Sequence, residues 1–450
     1  MQVPNRFSIN KETFGKRREK LTKCITNGIA IIPSGSLKQR SNDTEYSFRQ
    51  NSNFYYLSGF KEPNSVLVII NKNGEQSKTR LYLSKKDPQM ELWTGIRLGK
   101  DFAPKVLGVD EAKDIEDFEG DLEELILGSK NLYLSAFHDN SITKKIYKVT
   151  NELWTRRRKT TYVPTQVTHI DHFIEQMRLI KEEEEIKDIK KAASITTLAH
   201  KACMSKAAPG INERDIEGCL HYFFRKNGGS GEAYGSIVAS GNNANILHYI
   251  ENDTELKNGD LILIDAGAEK NLYACDVTRT FPVNGKFTNE QKEIYQIVLN
   301  SQLKTISEAR PGKTLGDLHE TASKELIKGL IQVGILSGSV EENFQNEGHR
   351  KFYPHGTGHW LGMDVHDQCP YTNDKNGTIT LKPNMYFTVE PGLYFDKENM
   401  SVPEKYRGIG IRIEDDILIT QNGHEVLTKD IPKTVEEIES ACQKDYKSFF

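Results

Sequence analysis

The 450-residue sequence has no surplus of either charge, few cysteines and no long apolar run. Lys and Arg number 60 against 63 Asp and Glu, a formal net charge of −3. A chain that binds nucleic acid is expected to carry a basic excess or stripe, and neither is present. The basic run Arg156-Arg157-Arg158-Lys159 is followed by no aromatic-basic repeat and reads as a solvated patch. No stretch approaches the ~18–20 apolar residues that a membrane-spanning helix needs, so no membrane partner is expected. The first 23 residues are polar and lack an apolar signal core. The six cysteines, Cys24, Cys203, Cys219, Cys275, Cys369 and Cys442, are far apart and form no CxxC pair. That spacing predicts free thiols in a reducing compartment, and with it a cytoplasmic location, in place of a disulfide framework or thiolate zinc site. What remains, 37% hydrophobic and 27% charged, is ordinary globular protein.

Residues 1–173 alternate short apolar strands, at 28–32, 65–70, 79–83 and 131–134, with helical stretches such as 11–26. This pattern predicts an α/β domain. The aromatic cluster Asn53-Phe54-Tyr55-Tyr56-Leu57 and the exposed-looking Glu91-Leu92-Trp93-Thr94-Gly95 carry no obvious chemistry. A long helix is predicted over 180–206, where Ile186, Ile189, Ala193, Ala199 and Cys203 recur at helical spacing. Its acidic run at 182–185 pairs with Lys187, Lys190 and Lys191 on the wet face. The domain boundary is placed near residue 173, giving domains 1–173 and 174–450.

The second domain contains an internal repeat. Pro209-Gly210 with Asp215-Ile216 recurs as Pro311-Gly312 with Asp317-Leu318, and Leu256-Lys257 recurs as Leu381-Lys382. At the latter offset Asp265 aligns with Glu390, each behind an apolar run. Two copies of helix–helix–strand–strand, each delivering a carboxylate from a strand end, point to a site at their junction.

Residues 261–281 read as a hairpin. With Lys270-Asn271 at its turn, Asp265 and Asp276 would oppose each other on one face. Like charges so placed destabilise a sheet, and a metal ion between them would convert repulsion into ligation. The alternative is a turn elsewhere, with one Asp capping or pairing with Arg279. Three of the twelve histidines fall in His355-Gly-Thr-Gly-His359-Trp-Leu-Gly362-Met-Asp-Val-His366. Gly356 and Gly358 argue against a helical His pair and for a glycine-rich turn or strand around a substrate. Further carboxylates come from Val389-Glu390-Pro391 and from Arg412-Ile-Glu414-Asp415-Asp416. Strand alternation puts Arg412 and Glu414 on one face, while Asp415 and Asp416 read as a surface ion-pair site. Asp265, Asp276, His359, Glu390 and Glu414 together make four carboxylates and one imidazole. Two divalent ions would balance them, and this donor set suits Mn²⁺, Co²⁺, Fe²⁺ or Zn²⁺. Such a pair activates water and polarises a carbonyl, which implies hydrolysis.

These five residues, in this order, resemble the ligands of the pita-bread metallopeptidases, which include methionine aminopeptidase, prolidase and aminopeptidase P. The segment Glu45-Tyr-Ser-Phe-Arg-Gln-Asn-Ser-Asn-Phe-Tyr-Tyr-Leu-Ser-Gly-Phe-Lys-Glu-Pro63 resembles the N-terminal domain of the aminopeptidase P branch. So do Trp93-Thr-Gly-Ile-Arg-Leu-Gly99, His359-Trp-Leu-Gly-Met-Asp-Val-His366 and Tyr406-Arg-Gly-Ile-Gly-Ile-Arg-Ile-Glu-Asp-Asp416. The resemblance implies an α/β N-terminal domain followed by an α+β pita-bread catalytic domain with a pseudo-twofold repeat. It implies an aminopeptidase that releases the first residue when proline is second, with two divalent ions, Mn²⁺ first among the candidates. Asp265, Asp276 and Glu414 would bind one ion, and His359 and Glu390 would complete the other, with Glu414 bridging. Glu390 would also be the catalytic base and acid. His248 and Tyr234 would lie on the substrate side, His355 in the proline pocket and His366 at the scissile carbonyl, with Tyr394 and Arg412 as supports. Asp43 and Trp93 would reach a neighbouring subunit's site in a homodimer or homotetramer. The rivals are a prolidase acting on Xaa-Pro dipeptides, a non-catalytic protein-binding module, and a metal-independent relative of the creatinase type, which should lack this ligand set.

Overall fold

The structure, a computed structural model, describes residues 9–135, 140–158, 162–373, 375 and 377–449. Lys159 of the basic run and the first eight residues of the polar N-terminal stretch lie outside them; Arg156, Arg157 and Arg158 are exposed. The chain divides into two compact units, Met1–Met177 and Arg178–Phe450. The boundary expected near 173 falls inside the helix Asp171–Leu179.

The first unit is built on a six-stranded mixed sheet. Its strand Gly28–Pro33 is buried along its whole length, pairing antiparallel with Val66–Asn71 and parallel with Asn131–Leu134. The β-branched residues Ile29, Ile31, Val66 and Val68 suit such a strand, and burial on both faces explains why the run is apolar without alternation. The aromatic cluster forms the wholly buried helix Ser52–Ser58, which Asn51 caps at its start and Gly59 ends at φ 66°. Leu92 and Trp93, on the helix Pro88–Thr94, are each 83% exposed.

In the second unit the long helix spans Glu183–Lys206 and begins later than its periodicity suggests. Glu182 and Glu185 close a reciprocal capping box there, which fixes the first turn. The sequence repeat has a physical counterpart. Gly210 and Gly312 share a φ of 90°, and their N–H groups donate to the carbonyls of Leu256 (2.9 Å) and Leu381 (3.0 Å). Each is followed by a capping box, Asn212 with Asp215 and Thr314 with Asp317, and by an isolated bridge, Asn212 to Glu255 and Thr314 to Thr380. Each half then sends a strand inward, Leu261–Asp265 and Tyr386–Val389.

The hairpin differs from the sequence reading by one turn residue. Lys270 pairs with Tyr273, so the turn is Asn271-Leu272, both with positive φ (50° and 69°). Asp265 therefore opposes Thr278, and Asp276 lies diagonal to it. A two-residue displacement along a strand preserves the face, so both carboxylates still point the same way. The left-handed region favours Asn, which is why the turn takes Asn271 into its first central position.

Candidate active site

Five separate pieces of backbone bring the four carboxylates and the imidazole together. Asp265 ends one strand; Asp276 comes just before the strand Thr278–Pro282; Glu390 follows Tyr386–Val389; Glu414 lies between Ile409–Arg412 and Asp415–Ile419. His359 sits on a chain segment that runs beside the strand edge. Thr388 N donates to His359 O (3.1 Å), and Glu390 N donates to Thr357 O (2.7 Å). This close approach needs a glycine: a Cβ on Gly358 would meet Thr388 O at 1.9 Å. Gly358→Ala is expected to displace His359 and weaken divalent-metal binding about 10- to 100-fold, read by calorimetric titration of the metal-stripped protein. Wild-type affinity would show that the approach tolerates a side chain.

The donor atoms converge. Ligand atoms of Asp276, His359 and Glu414 all lie within 4.8 Å of one another. His359 Nε2 is 3.5 Å from Asp276 Oδ2 and 3.6 Å from Glu390 Oε1. The Tyr234 hydroxyl lies within hydrogen-bond reach of both Asp265 Oδ1 (2.6 Å) and Asp276 Oδ1 and shares its one proton between them, joining the diagonal aspartates. Arg412 Nη2 donates to Asp265 Oδ2 (2.6 Å), and Thr278 Oγ1 donates to Glu414 Oε2 (2.7 Å). The cluster is thus braced from outside, with its remaining oxygens turned towards one another.

Burial and crowding leave their mark on proton affinity. Glu390 is pushed up to about 7, chiefly by burial; the charge of His359 opposes this and that of Asp276 reinforces it. Glu414 lies well above the ordinary carboxylate range through burial and the charges of Asp276 and Glu390. Asp265 is raised by burial despite Arg412. For Asp276, burial is outweighed by the His359 hydrogen bond, and its affinity falls. Burial also works against charge on His359, yet Asp276 and Glu390 lift that imidazole to about 9. Four carboxylates crowded around one imidazole, Asp276 and Glu414 buried and Asp265 and Glu390 half-buried, cannot all ionise without cations. Oxygen-rich donors with a single nitrogen fit divalent metal.

Three other histidines surround the cluster. His366 packs edge-on against His359, with ring centroids 4.2 Å apart. His355 Nε2 is 2.8 Å from Tyr394 OH, which also accepts from Arg412 Nη1 (2.9 Å). Burial and then the charge of Arg412 hold His355 down at about 3. His248 is exposed on the loop after the 3-10 helix Gly241–Asn245, and its charge bears on both His355 and His366. Asp43 is exposed at the tip of the hairpin Gln39–Ser41/Thr44–Glu45 in the first unit.

Some contacts add to the sequence reading, and those of Asp415 and Asp416 depart from it. Tyr234, expected on the substrate side, has its hydroxyl on two of the five cluster residues. Asp415 and Asp416, expected as a surface ion-pair site, are fully buried. Asp415 is held by Arg279 Nη2 (2.7 Å) and Lys433 Nζ (2.7 Å). Asp416 accepts from Tyr386 OH (2.7 Å) and is pushed up to about 8, chiefly by burial. Their strand, Asp415–Ile419, is central in its sheet and covered on both faces, so alternation could not reveal a wet side. Thr278, a support for Glu414 and Arg412, is not among the candidates of the sequence. Its two-residue spacing from Asp276 was the available signal.

The comparisons agree over the whole length. The profile of metallopeptidase family M24 matches residues 187–421, and that of the aminopeptidase P N-terminal domain matches residues 14–133. The chain is 42% identical to the Xaa-Pro aminopeptidase of Escherichia coli over 96% of this chain and 98% of that one. It is 33% identical to human Xaa-Pro aminopeptidase 3 over 97% and 87%. Among solved structures it is similar to an aminopeptidase of Pseudomonas aeruginosa, at a TM-score of 0.94 and 41% identity, covering 98% of this chain and 100% of that one. It is also similar to E. coli aminopeptidase P with the inhibitor Pro-Leu, at 0.93 and 40%, covering 97% and 98%. These likenesses cover both units and the pita-bread fold of the second, and the chain belongs to metallopeptidase family M24, in its Xaa-Pro aminopeptidase branch.

Proposed function

We propose that this chain is a dinuclear-metal aminopeptidase that releases the N-terminal residue of peptides with proline in the second position. The observation that carries the reading is the convergence of Asp265, Asp276, His359, Glu390 and Glu414 in a chain so similar to Xaa-Pro aminopeptidases. Asp276, His359, Glu390 and Glu414 would hold one ion, and Asp265, Asp276 and Glu414 the other, Mn²⁺ being the first candidate. When bound, such a pair supplies Lewis-acid polarisation of the scissile carbonyl and a water of lowered pKa.

The chain's own groups do the rest. Glu390 is placed to take a proton from the attacking water and pass it to the proline nitrogen, acting as base and then acid. An amide nitrogen leaves poorly as an anion, so the proton delivered by Glu390 is what lets the proline amine depart. His366, beside His359 at the edge of the cluster, donates to the oxyanion as it develops. His355 is kept neutral by burial and Arg412, and its ring, fixed by Tyr394, walls the proline side. Arg412 holds Asp265 and Tyr394 in place. His248 meets the substrate from its loop. Trp93 and Asp43, both exposed, would reach the site of another copy in a homodimer or homotetramer. No helix among the described residues is long and apolar enough to cross a membrane. Six free thiols support a reducing, cytoplasmic setting.

The test compares Ala-Pro-Ala with Ala-Pro after chelator stripping and return of Mn²⁺. Alanine release from the tripeptide, abolished by stripping and restored by Mn²⁺, is the expected result. Preference for the dipeptide would make the chain a prolidase. Cleavage of neither, with several metals tried, would favour a binding module.

A further inference from the structure

Glu213 is the first residue of the helix Glu213–Lys226 and is completely buried. Its carboxylate is surrounded by donors from one stretch of chain. Oε1 accepts from Ser240 N (2.7 Å), Ser240 Oγ (2.7 Å) and Asn243 Nδ2 (3.2 Å). Oε2 accepts from Tyr249 OH (2.8 Å) and Thr254 N (2.9 Å). All five partners donate, so the group acts purely as an acceptor. A helix N-terminus favours a carboxylate there.

These partners bracket a loop. Ser240 ends a strand, Asn243 lies in the 3-10 helix Gly241–Asn245, Tyr249 follows His248, and Thr254 closes the excursion. A second clasp reinforces the first: the buried Asn252 accepts from Val238 N (2.9 Å) and donates to Ser236 O (2.8 Å). The opposite side of the loop rests on Gly410, where a Cβ would lie 2.6 Å from Ala244 O. Gly410 belongs to the strand that ends at Arg412. The loop is thus seated between Glu213 and the strand carrying a site residue, and His248 is the imidazole it presents. None of the five cluster residues lies on this loop.

We propose that Glu213 is a positioning residue for the peptidase reaction: by gathering both ends of the 240–254 loop and Tyr249 onto one buried carboxylate, it fixes the place of His248 over the site. The proposal rests on the reading of His248 as a substrate-side residue. Removing the acceptor frees the loop and withdraws His248 from substrate, while the metal-holding residues, none of which lies on this loop, keep their places.

The experiment is a double-mutant cycle of Glu213→Gln and His248→Ala on the Mn²⁺-loaded full chain. The readouts are kcat and KM for Ala-Pro-Ala, with Mn²⁺ affinity by calorimetry and thermal unfolding alongside. Each single variant is expected to lose about tenfold or more in kcat/KM, and the double variant little beyond the worse single one, because the two act as a unit. Mn²⁺ affinity is expected within about twofold of wild type, since groups that share no partners behave independently. Losses that multiply in the double variant would make Glu213 a general support of the fold and overturn the proposal. A full effect of Glu213→Gln with none from His248→Ala would instead overturn the reading of His248. Tyr249→Phe deletes one bond to Glu213 and serves where Glu213→Gln does not fold. It is expected to show a smaller loss that vanishes in the His248→Ala background, and persistence of that loss would overturn the proposal equally.

Discussion

Glu390→Gln is expected to slow alanine release from Ala-Pro-Ala by about 10²–10⁴-fold, the usual contribution of a positioned acid–base group. Glu390 Oε1 is 3.6 Å from His359 Nε2 and Oε2 is 3.8 Å from His355 Nδ1, so its carboxyl faces both the metal side and the proline side of the cluster. Glutamine keeps the size and one ligating oxygen but cannot accept the proton. Because Asp265, Asp276, His359 and Glu414 are untouched, the variant should still bind Mn²⁺, and metal content measured with kcat separates the two roles. Turnover close to wild type would remove Glu390 from the proton path. Loss of both activity and metal would make it a ligand alone.

The second large effect concerns stability. Asp367 is completely buried next to two buried cations, Arg178 and Lys181, with Lys181 Nζ at 3.0 Å and Arg178 closer still. Arg178 also reaches Asp364 (2.7 Å), and Asp367 N donates to Trp360 O (2.9 Å), so the loop bearing His366 is built around this ion cluster. Asp367→Asn keeps the shape and removes the charge that both cations face. Breaking a buried pair in this way costs about 3–5 kcal/mol, to be read from the midpoint of urea unfolding. Burial alone would raise the Asp367 carboxyl, but Arg178 and Lys181 hold it down at about 2. An unfolded Asp titrates near ~3.9. The group therefore stabilises the fold above pH ~4, by about 2–3 kcal/mol, and that contribution fades as pH falls through about 2. The gap between wild type and Asp367→Asn should narrow by that amount between pH 5 and 2. A constant gap would mean that packing, and not charge, sets the cost.

The sequence by itself determined the cast of this site and the two-part plan of the chain. Local chemistry carried that information. The buried strands read as apolar runs at 28–32 and 131–134, the repeat was announced by Pro209-Gly210 and Pro311-Gly312, and the motifs around His359 and Glu414 were long enough to resemble one family. The face shared by Asp265 and Asp276 was legible as well, because strand periodicity survives a turn displaced by one residue. Contacts made across tens or hundreds of residues were decided by the tertiary structure alone. Nothing within a few residues of Tyr234 signals that its hydroxyl will join Asp265 to Asp276. Nothing local to Asp415 foretells Arg279 and Lys433 around it, and its acidic neighbours suggested a wet surface instead. Nothing near Glu213 in the sequence indicates that Ser240, Tyr249 and Thr254 will fold onto its carboxylate. A charged side chain is legible in sequence when its partners lie on its own turn or strand. When it is buried, packing of distant segments chooses those partners, because each must be satisfied by whatever donors the fold brings within reach.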